Sequence, residues 1–490
     1  MRYTVGSLFA GVGGICLGFR NAKTSKSSYI LKWANEIDGY ACETYRTNFA
    51  HELLQGDIEK IIHPTRIDEN INLLRKKIKS IEEEKDDVIS EIKKEKKENN
   101  QVENIRFLEE RFDSLSVQSE QTEAELMVVL NDRDDEFRQY LIDGLIPAWV
   151  EHQNKRVEFE RYVSLRAQII ASPIDVLNGG FPCQAFSIAG EQHGFKDPRG
   201  NLFLSIVDLI ELLGEIHTRV DKNTGTIIKN GKPRILFLEN VKNLKSHDGE
   251  RTYREIKTRL EQCGYTVFEK VLNTMDFSNL PQNRERIYII GFRDKTDADK
   301  FKLFETATLE MFRVNKTSKD RAKDVRRVID YTKTINDLKQ YYYTREKYPA
   351  YFMTDEEFLS SSKDTKVNLD EQITEMYQFY QVRRGMYVRK NQSDVCPTLT
   401  ANMGTGGHNV PLIKVDDGIR KITPEEAFKL QGFPVGNGYS LPTKYKGKKY
   451  GDAPLYKQAG NAVSVPVITL IAKELLKILE EEEENDKFSK

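Results

Sequence analysis

The sequence predicts an α/β protein with a parallel sheet, a smaller second domain and a long helical insertion. Three observations lead to this prediction. Short apolar segments, each the length of a buried strand, end in glycine or in a carboxylate. A long segment with apolar residues at alternating three- and four-residue spacing separates the first of these strands from the later ones. At 490 residues the chain is long enough for more than one domain.

The first predicted elements are a strand at 3–9, a glycine-rich turn at 10–14 and an apolar helix directly after it. Such a turn lets backbone amides approach a ligand closely at the positive end of a helix. A tight turn without a ligand would explain these glycines about as well, so the turn is a weak signal when taken alone.

Two carboxylates follow at the ends of the next strands. Glu36 ends a predicted strand at 30–35, roughly 20 residues past the glycines, where nucleotide-binding folds hold ribose hydroxyls. No third glycine follows at the dinucleotide spacing, so a nucleoside-type cofactor such as S-adenosylmethionine fits better than NAD. Asp57, in Gly56-Asp57-Ile58, could hydrogen-bond an adenine amino group, and a helix or turn cap is the alternative for it.

A cysteine lies in the loop at 179–190. The apolar run at 173–177 predicts a buried strand, which two glycines and a proline then end. Cys183 is therefore expected on a loop at the carboxyl end of a strand, where open α/β sheets place their chemistry. Taken alone, the loop is also compatible with a cysteine that has no catalytic role.

Two later strands carry ionisable groups. The apolar run at 233–241 delivers Glu239 to its end, where burial should raise the pKa of the carboxyl group and let it donate a proton. A strand-end ion pair is the alternative. Arg284 and Arg286 lie at the start of the strand at 287–292, with Glu285 between them. One of them could reach a substrate while the other supports the framework.

Residues 59–170 are predicted to form an inserted antiparallel coiled-coil hairpin. Its predicted seam residues are Ile71, Leu74, Ile78, Ile81, Val88, Ile92, Val102, Ile105, Leu108, Phe112, Leu115, Leu126, Leu130, Phe137 and Leu141. A narrow apolar seam needs a partner, which could be its own return arm, a second protomer or another protein. A solvated spacer without a catalytic role is an equally open reading of the insertion.

Composition limits the function classes. The five cysteines are scattered with no Cys-x-x-Cys pair, which argues against a zinc or disulfide framework and predicts a reducing compartment with no metal site. No apolar stretch is long enough for a bilayer. The net charge is −1, so binding to nucleic acid requires segregated charge. The runs at 383–390 and 444–449 combine basic and aromatic residues, whereas 480–490 is an acidic tail.

Together, these segments resemble the DNA (cytosine-5)-methyltransferase family in their order along the chain. The matching segments are Phe9-Ala10-Gly11-Val12-Gly13-Gly14, Glu36, Gly56-Asp57-Ile58, Phe181-Pro182-Cys183-Gln184, Glu239-Asn240-Val241, Gln282-Asn283-Arg284-Glu285-Arg286, Arg420-Lys421-Ile422-Thr423-Pro424-Glu425-Glu426-Ala427 with Leu430-Gln431-Gly432-Phe433-Pro434, and Gln458-Ala459-Gly460-Asn461-Ala462-Val463. The resemblance covers 1–58, 174–292 and 395–479.

The resemblance implies a role for each group. Cys183 would be the nucleophile that adds to cytosine carbon 6, Glu239 would act in its protonated form, and Arg286 with Arg284 nearby would orient the ring. The cofactor would be S-adenosylmethionine, bound by Phe9, Ala10, Gly11, Gly13, Gly14, Glu36, Ile37, Asp57, Ile58, Pro182 and Asn461. The partner would be double-stranded DNA with a flipped target base, contacted by Gln184, Ser187, Thr398, Gly406 and Gly407.

The resemblance also implies how the chain divides. The Rossmann-like catalytic domain would comprise 1–58, 171–292 and 410–479, with the inserted hairpin at 59–170, a target-recognition domain at 293–409 and the acidic tail at 480–490. The helix at 463–479 should return to pack beside the N-terminal strand.

The expected activity is methylation of a short DNA sequence in the cytoplasm of a bacterium, at the nucleoid when DNA is bound, as part of a restriction-modification system. A tRNA cytosine-5 methyltransferase would use the same core and chemistry. A catalytically inactive relative would more plausibly have lost Cys183, Glu239 or the cofactor glycines, and all of them are present. A coiled-coil scaffold with a vestigial cofactor fold would explain the insertion but leave the remaining motifs unexplained.

Overall fold

The computed structural model describes most of the chain. The described residues are 1–63, 80, 81, 83–94, 108–112, 114–116, 118, 161–181, 202–220, 227–363, 365–383, 387–405 and 409–488. The chain divides into two units, Met1–Ile58 with Ile170–Lys490 and Glu59–Ile169. Within the described ranges, no helix combines the length and the apolar composition needed to cross a lipid bilayer.

Strands and helices alternate through much of the larger unit. The described strands are β1 (Arg2–Leu8), β2 (Ser28–Glu36), β3 (Glu52–Gln55), β4 (Val176–Gly179), β5 (Arg219–Val220), β6 (Ile227–Lys229), β7 (Ile235–Val241), β8 (Thr266–Asn273), β9 (Glu285–Phe292), β10 (Tyr342–Tyr343), β11 (Tyr380–Arg383), β12 (Tyr387–Lys390), β13 (Leu412–Val415), β14 (Gly418–Lys421), β15 (Lys444–Tyr445) and β16 (Lys448–Lys449). The described helices are α1 (Gly14–Asn21), α2 (Gly39–Asn48), α3 (Ile58–Ile62), α4 (Leu202–His217), α5 (Asn243–Ser246), α6 (Arg251–Gln262), α7 (Thr274–Phe277), α8 (Lys295–Lys300), α9 (Thr306–Phe312), α10 (Ser318–Val328), α11 (Ile335–Leu338), α12 (Asp355–Leu359), α13 (Leu369–Gln372), α14 (Pro424–Leu430), α15 (Asp452–Asn461) and α16 (Val465–Phe488). Short 3₁₀ turns occupy His247–Glu250, Lys339–Tyr341, Pro349–Tyr351 and Ala401–Gly404.

A seven-stranded sheet forms the centre of the larger unit, in the order β3-β2-β1-β4-β7-β9-β8. The first five strands of that order pair in parallel, and β9 runs antiparallel to both β7 and β8. This arrangement confirms the predicted α/β class. The chain continues from β1 to one side and returns to the other side at β4, so the carboxyl ends of these two strands form a switch point. Because β9 is antiparallel, its first residues lie at the same edge as the end of β7.

The central strands are buried because their sequences are apolar on both faces. All four residues of β4 are buried, and so are Ile235–Asn240 in β7. A parallel sheet covered on both sides requires such continuous apolar runs. The position of Glu239 near the end of β7 therefore places a carboxyl group inside an apolar layer.

The C-terminal helix α16 packs beside β1 and α1, as the sequence predicts. The Tyr3 hydroxyl donates to the Leu479 carbonyl at 2.7 Å. A Cβ atom on Gly18 would lie 2.4 Å from Ile468 Cγ2, so this close approach of α1 and α16 requires glycine. The helix runs to Phe488 instead of ending at 479, because the glutamates that follow favour a helix. The predicted acidic tail is thus mostly a continuation of α16.

A second sheet of five antiparallel strands has the order β10-β14-β13-β11-β12. Its strands β13 and β14 lie beyond the predicted domain boundary at 409, yet they pair with β11 and β10 from before that boundary. The sheet therefore crosses the predicted boundary. At the other end, Ala298, Phe301 and Leu309 belong to the apolar core that also contains α16 residues. The sheet with its own core therefore begins after the predicted boundary at 293 and ends at Lys421.

The smaller unit contains helical residues at 80–94 and 108–118 among its described positions. Ile81, Val88, Leu108 and Leu115 form one buried apolar cluster, with Ile92 and Phe112 packed against it. The side chains of Arg111 and Glu84 form an exposed ion pair at 2.6 Å. These apolar residues are predicted seam positions. Other seam residues, from Ile71 to Ile78, Val102, Ile105 and Leu126 to Leu141, lie outside the described residues.

A buried ion pair connects the second sheet to α14. Arg420, on β14, donates two hydrogen bonds of 2.8 Å to the carboxylate of Glu426. Both side chains are almost fully buried, with exposed fractions of 0% and 4%. Glu426 also accepts from the backbone N–H groups of Thr423 at 2.7 Å and Asp330 at 3.0 Å. The Glu426 carboxylate thus accepts hydrogen bonds from three places in the chain: Arg420 on β14, the backbone at Asp330 and the backbone at Thr423 just before α14.

We expect Glu426→Ala to lower the free energy of unfolding by about 3–5 kcal/mol, because it leaves the buried Arg420 guanidinium without its counter-charge. Urea unfolding measures this change. Glu425→Ala is the matched control, since Glu425 is an exposed neighbour whose loss should change stability by no more than about 0.5 kcal/mol. Equal stability of the two variants would contradict the role of the buried pair.

Candidate active site

The glycine-rich turn between β1 and α1 adopts left-handed backbone angles at several positions. Phe9, Gly11 and Gly13 have φ values of 52°, 55° and 83°. A Cβ atom on Gly13 would lie 2.2 Å from the Phe49 ring, whereas one on Gly11 would meet no atom within 4 Å. The two glycines therefore have different reasons to be glycine. Gly13 allows internal packing, and Gly11 faces open space that a ligand can use.

Glu36, at the end of β2, fastens this turn to the neighbouring strand. Its Oε2 accepts a hydrogen bond from the Gly11 N–H at 2.7 Å, and its Oε1 accepts from the N–H groups of Ile37 and Asp38 at 2.8 Å each. Burial raises the pKa of the Glu36 carboxyl group, and the three backbone N–H groups act in the opposite direction. The carboxyl group therefore lies at the switch point with its position fixed by the backbone.

The end of β3 lies beside Glu36. The Asn35 side-chain amide donates to two main-chain carbonyls there, at 2.9 Å each. Asp57 directly precedes α3, and Ile58 is buried as the first residue of that helix. Ile37 is different, since 64% of this large apolar residue is exposed. An exposed apolar side chain next to a buried carboxylate provides a surface for a flat ring.

Glu239 and Arg286 meet at the adjacent edge, where β7 pairs with β9. Their Oε1 and Nε atoms lie 3.2 Å apart, with side-chain exposures of 8% and 13%. Glu239 Oε1 has no well-aligned hydrogen bond despite this short distance, so the contact is mainly electrostatic. Burial raises the pKa of the Glu239 carboxyl group, and the charges of Arg286 and Arg284 oppose that rise. The group can therefore take up a proton more readily than an exposed glutamate.

The chain that leads to Cys183 starts next to Glu239. A Cβ atom on Gly180 would lie 3.6 Å from Glu239 Oε2. The Asn240 side-chain amide donates to the Phe181 carbonyl at 3.1 Å, which ties the start of the loop to the end of β7. Phe181 is the last described residue before the loop. The predicted site residues Pro182, Cys183, Gln184 and Ser187, and also Gly406 and Gly407, lie outside the described residues.

Arg284 and Arg286 have different surroundings. The Arg284 guanidinium is buried and donates to the main-chain carbonyls of Leu399 at 2.8 Å, Gly460 at 3.3 Å and Ala462. This places it between the end of the recognition region and the end of α15. Arg284 therefore contacts the framework, and Arg286 contacts Glu239. The catalytic assignment of Arg284 stays a prediction.

Two predicted site residues lie near this framework. The Thr398 hydroxyl donates to the Asn283 carbonyl at 2.7 Å, so it serves a main-chain contact in this structure. Asn461 is exposed at the end of α15. The predicted DNA contact of Thr398 and the predicted cofactor contact of Asn461 stay predictions.

Sequence reasoning missed two polar side chains in the interior of this edge. Gln282 donates to the Leu430 carbonyl at 2.8 Å and accepts from the Leu399 N–H at 3.3 Å, which joins three distant segments. Asn178, in β4, is fully buried, and neither of its side-chain polar atoms has a hydrogen-bond partner in the described part of the chain. A lone polar residue inside an apolar strand was the signal for Asn178. For Gln282 the sequence gave no signal beyond its place in the segment Gln282-Asn283-Arg284-Glu285-Arg286.

The family model of the C-5 cytosine-specific DNA methylases matches residues 3–76, 149–214 and 222–477 of this chain. The chain belongs to this family. It is a DNA (cytosine-5)-methyltransferase, and its cofactor is S-adenosylmethionine. Residues 77–148, inside the predicted insertion, fall outside the family match.

Individual methyltransferases are also similar to this chain in sequence or in fold. Over 304 residues the chain is 42% identical to the Type II methyltransferase M.Bsp6I of Bacillus sp. (strain RFL6), which covers 62% of this chain and 79% of that protein. Identity to the Type II methyltransferase M.HpaII of Haemophilus parainfluenzae is 32% over 323 residues, covering 63% and 74%. The S. pombe Dnmt2 methyltransferase superposes with a TM-score of 0.50 at 14% identity, covering 97% and 99%. This last likeness shows the fold alone.

The residues at the switch point of this methyltransferase fit its nucleoside cofactor. The open space next to Gly11 admits a ligand against the backbone, the carboxyl group of Glu36 suits ribose hydroxyls, and the exposed Ile37 side chain suits an adenine ring.

We expect Gly11→Ala mainly to weaken cofactor binding and Gly13→Ala mainly to lower the stability of the fold. Both substitutions add backbone strain of about 1–2 kcal/mol at a left-handed position. Gly13→Ala also overlaps the Phe49 ring, so it should lower the unfolding temperature more. Gly11→Ala should instead weaken S-adenosylmethionine binding by about tenfold or more, because its methyl group enters the ligand space. Calorimetric titration and thermal unfolding measure the two effects. Unchanged cofactor affinity in Gly11→Ala would contradict the assignment.

Proposed function

We propose that this enzyme methylates carbon 5 of one cytosine in a short duplex DNA sequence, as the modification enzyme of a Type II restriction-modification system in the bacterial cytoplasm. The observation that carries the proposal is the buried Glu239 carboxyl group beside the start of the Cys183 loop, at the same sheet edge as the glycine turn. Two relatives named as Type II methyltransferases support the biological setting.

The chemistry follows from the reactivity of the cytosine ring. Carbon 5 alone is a weak nucleophile, so the Cys183 thiolate adds to carbon 6 and the ring electrons become available at carbon 5. When bound, S-adenosylmethionine supplies the methyl group. Loss of the carbon 5 proton and breaking of the bond between sulfur and carbon 6 then restore the aromatic ring and free Cys183.

Glu239 acts in its protonated form in this proposal. A proton on its carboxyl group stabilises the negative charge that spreads through ring nitrogen 3 when Cys183 adds. Burial favours that protonated form. Arg286, which lies against Glu239, contacts the pyrimidine carbonyl oxygen, and Arg284 fixes the start of β9 from which Arg286 extends.

The cofactor and the DNA use separate sets of residues. We assign cofactor contacts to Phe9, Ala10, Gly11, Gly13, Gly14, Glu36, Ile37, Asp57, Ile58, Pro182 and Asn461. The DNA contacts that we assign are Gln184, Ser187, Thr398, Gly406 and Gly407. Since carbon 6 is stacked inside a duplex, the target nucleotide must rotate out of the helix before Cys183 can reach it. The five-stranded sheet is the target-recognition domain in this proposal.

We propose that the insertion at 59–170 is a coiled-coil hairpin that serves assembly or extends the reach along DNA. The apolar cluster of Ile81, Val88, Leu108 and Leu115 supports a packed helical pair. Deletion of residues 65–140 should alter the oligomeric mass or the DNA affinity. A folded deletion variant with both properties unchanged would contradict this role.

We expect Cys183→Ala to abolish methylation without loss of cofactor binding. Bisulfite sequencing of DNA from cells that express the wild-type chain should show carbon 5 methylation at one short motif, and the variant should show none. Cys263→Ala is the control, because Cys263 lies at the end of α6, away from the sheet edge that carries Glu239. Methylation by Cys183→Ala would contradict the nucleophile, and none by the folded wild type would contradict the DNA substrate.

We expect Glu239→Gln to lower kcat by about 10²–10³-fold, since the amide cannot supply a proton to the ring. The raised pKa of Glu239 gives the sign of the pH dependence. The wild-type rate should fall as pH rises through that pKa, because the carboxyl group loses its proton, and the variant should lack this decline. Glu285→Gln is the control, since Glu285 forms an exposed pair with Lys242 at 2.6 Å. An unchanged pH profile in Glu239→Gln would contradict the role.

A further inference from the structure

The β11–β12 hairpin has two faces of different character. Tyr380 and Val382 are buried in the core of the second sheet, with Val388 packed against that core. Because side chains alternate along a strand, Gln381, Arg383, Tyr387 and Arg389 belong to the opposite face. β12 is the edge strand of its sheet, and Tyr387 is 52% exposed. On this face Arg389 is exposed, Arg383 is half-buried and Gln381 is buried.

Two guanidinium groups share one acceptor, Gln381, on this face. Gln381 Oε1 accepts from an Nη2 group of Arg383 at 2.7 Å and from one of Arg389 at 3.4 Å. The register explains the arrangement, since Gln381 pairs directly with Arg389 and the next residue on the same face is Arg383. A side-chain amide therefore holds two like charges near each other.

The charge of this pair has no counter-charge in contact with it within the described residues. Among the described residues, no carboxylate forms an ion pair with either arginine, and the Arg383 Nε atom is buried without a hydrogen-bond partner. Burial, and then the charge of Arg389, lowers the pKa of Arg383. Lys390 on the same strand differs, since it pairs with Glu375 at 2.8 Å. A ligand with fixed acceptors would satisfy the two guanidinium groups.

The hairpin also contacts the segment that follows the glycine-rich recognition loop. The Gln381 side-chain amide donates to the Asn409 carbonyl at 3.4 Å. Asn409 lies two residues after Gly407, which with Gly406 we propose to contact DNA. A two-stranded ribbon fits the major groove of DNA, which is about 12 Å wide.

We propose that Arg383 and Arg389 are specificity-determining residues that recognise guanine O6 and N7 in the methylated sequence, with Gln381 positioning both side chains. This inference rests on the proposed DNA substrate. Arginine gives guanine two parallel N–H donors, a match that neither adenine nor a pyrimidine offers. The shared hydrogen bonds to Gln381 favour a base edge over a phosphate, because they fix the direction of the guanidinium planes, whereas phosphate attracts charge from many directions.

The test compares the wild type with variants in which lysine replaces each arginine and so keeps its charge, and with one control. The full-length wild type, R383K, R389K and the control K390A would be assayed for kcat/KM on the motif found by methylation sequencing and on duplexes in which each G·C pair is replaced in turn. We expect R389K and R383K to lose about 10–100-fold on the intact motif and to discriminate less at one guanine position. K390A should resemble the wild type, since it removes a charge from the other face.

Contacts of the two arginines with phosphates instead of guanine would give a different pattern of activities. Lysine variants that keep full discrimination, while R389A loses affinity equally for all duplexes and has a shallower salt dependence, would show phosphate contacts and overturn the inference. R389K is the principal variant, because Arg389 is exposed and its replacement leaves the core intact. Failure of the proposed function is distinguishable, since the wild type would then methylate no duplex at all.

Discussion

The arrangement of the site depends on the guanidinium group of Arg284. It donates to the carbonyls of Leu399, Gly460 and Ala462, which belong to segments more than 100 positions further along the chain. Hydrogen bonds from a charged donor contribute about 1.5–3 kcal/mol each, so this one side chain connects the first sheet to the recognition region and to the turn before α16. The start of β9, and with it the position of Arg286, follows from these contacts.

Two buried carboxyl groups at the same sheet edge have different surroundings, and this difference separates their chemistry. Glu36 receives three backbone N–H donors, which fix it in place and favour its ionised form. Glu239 faces the guanidinium of Arg286 at 3.2 Å, and its Oε1 accepts no hydrogen bond from the described residues. One environment suits a stationary acceptor for hydroxyl groups, and the other suits a group that changes its protonation state.

The sequence predicted the elements whose signal is local. The strand that carries Glu239 is a continuous apolar run that ends in an acid, and the strand that carries Glu36 is mostly apolar, so neither needed distant information. The second sheet extends past the expected boundary at 409, because β13 and β14 pair with β11 and β10 from before that boundary. The carbonyl partners of Arg284 could not be predicted at all, since every main-chain carbonyl looks alike in a sequence.

The packing of α16 on α1 has a consequence for how the molecule is made. Tyr3 and its acceptor Leu479 are 476 positions apart, so the ribosome completes nearly all of the larger unit before the first helix can be covered. Until α16 is made, the apolar side of α1 that packs on it stays exposed. Bringing two segments so far apart in the chain together also costs conformational entropy. A chain that stops short of α16 leaves the glycine turn without support. Synthesis therefore yields a working cofactor pocket late, and nearly all at once.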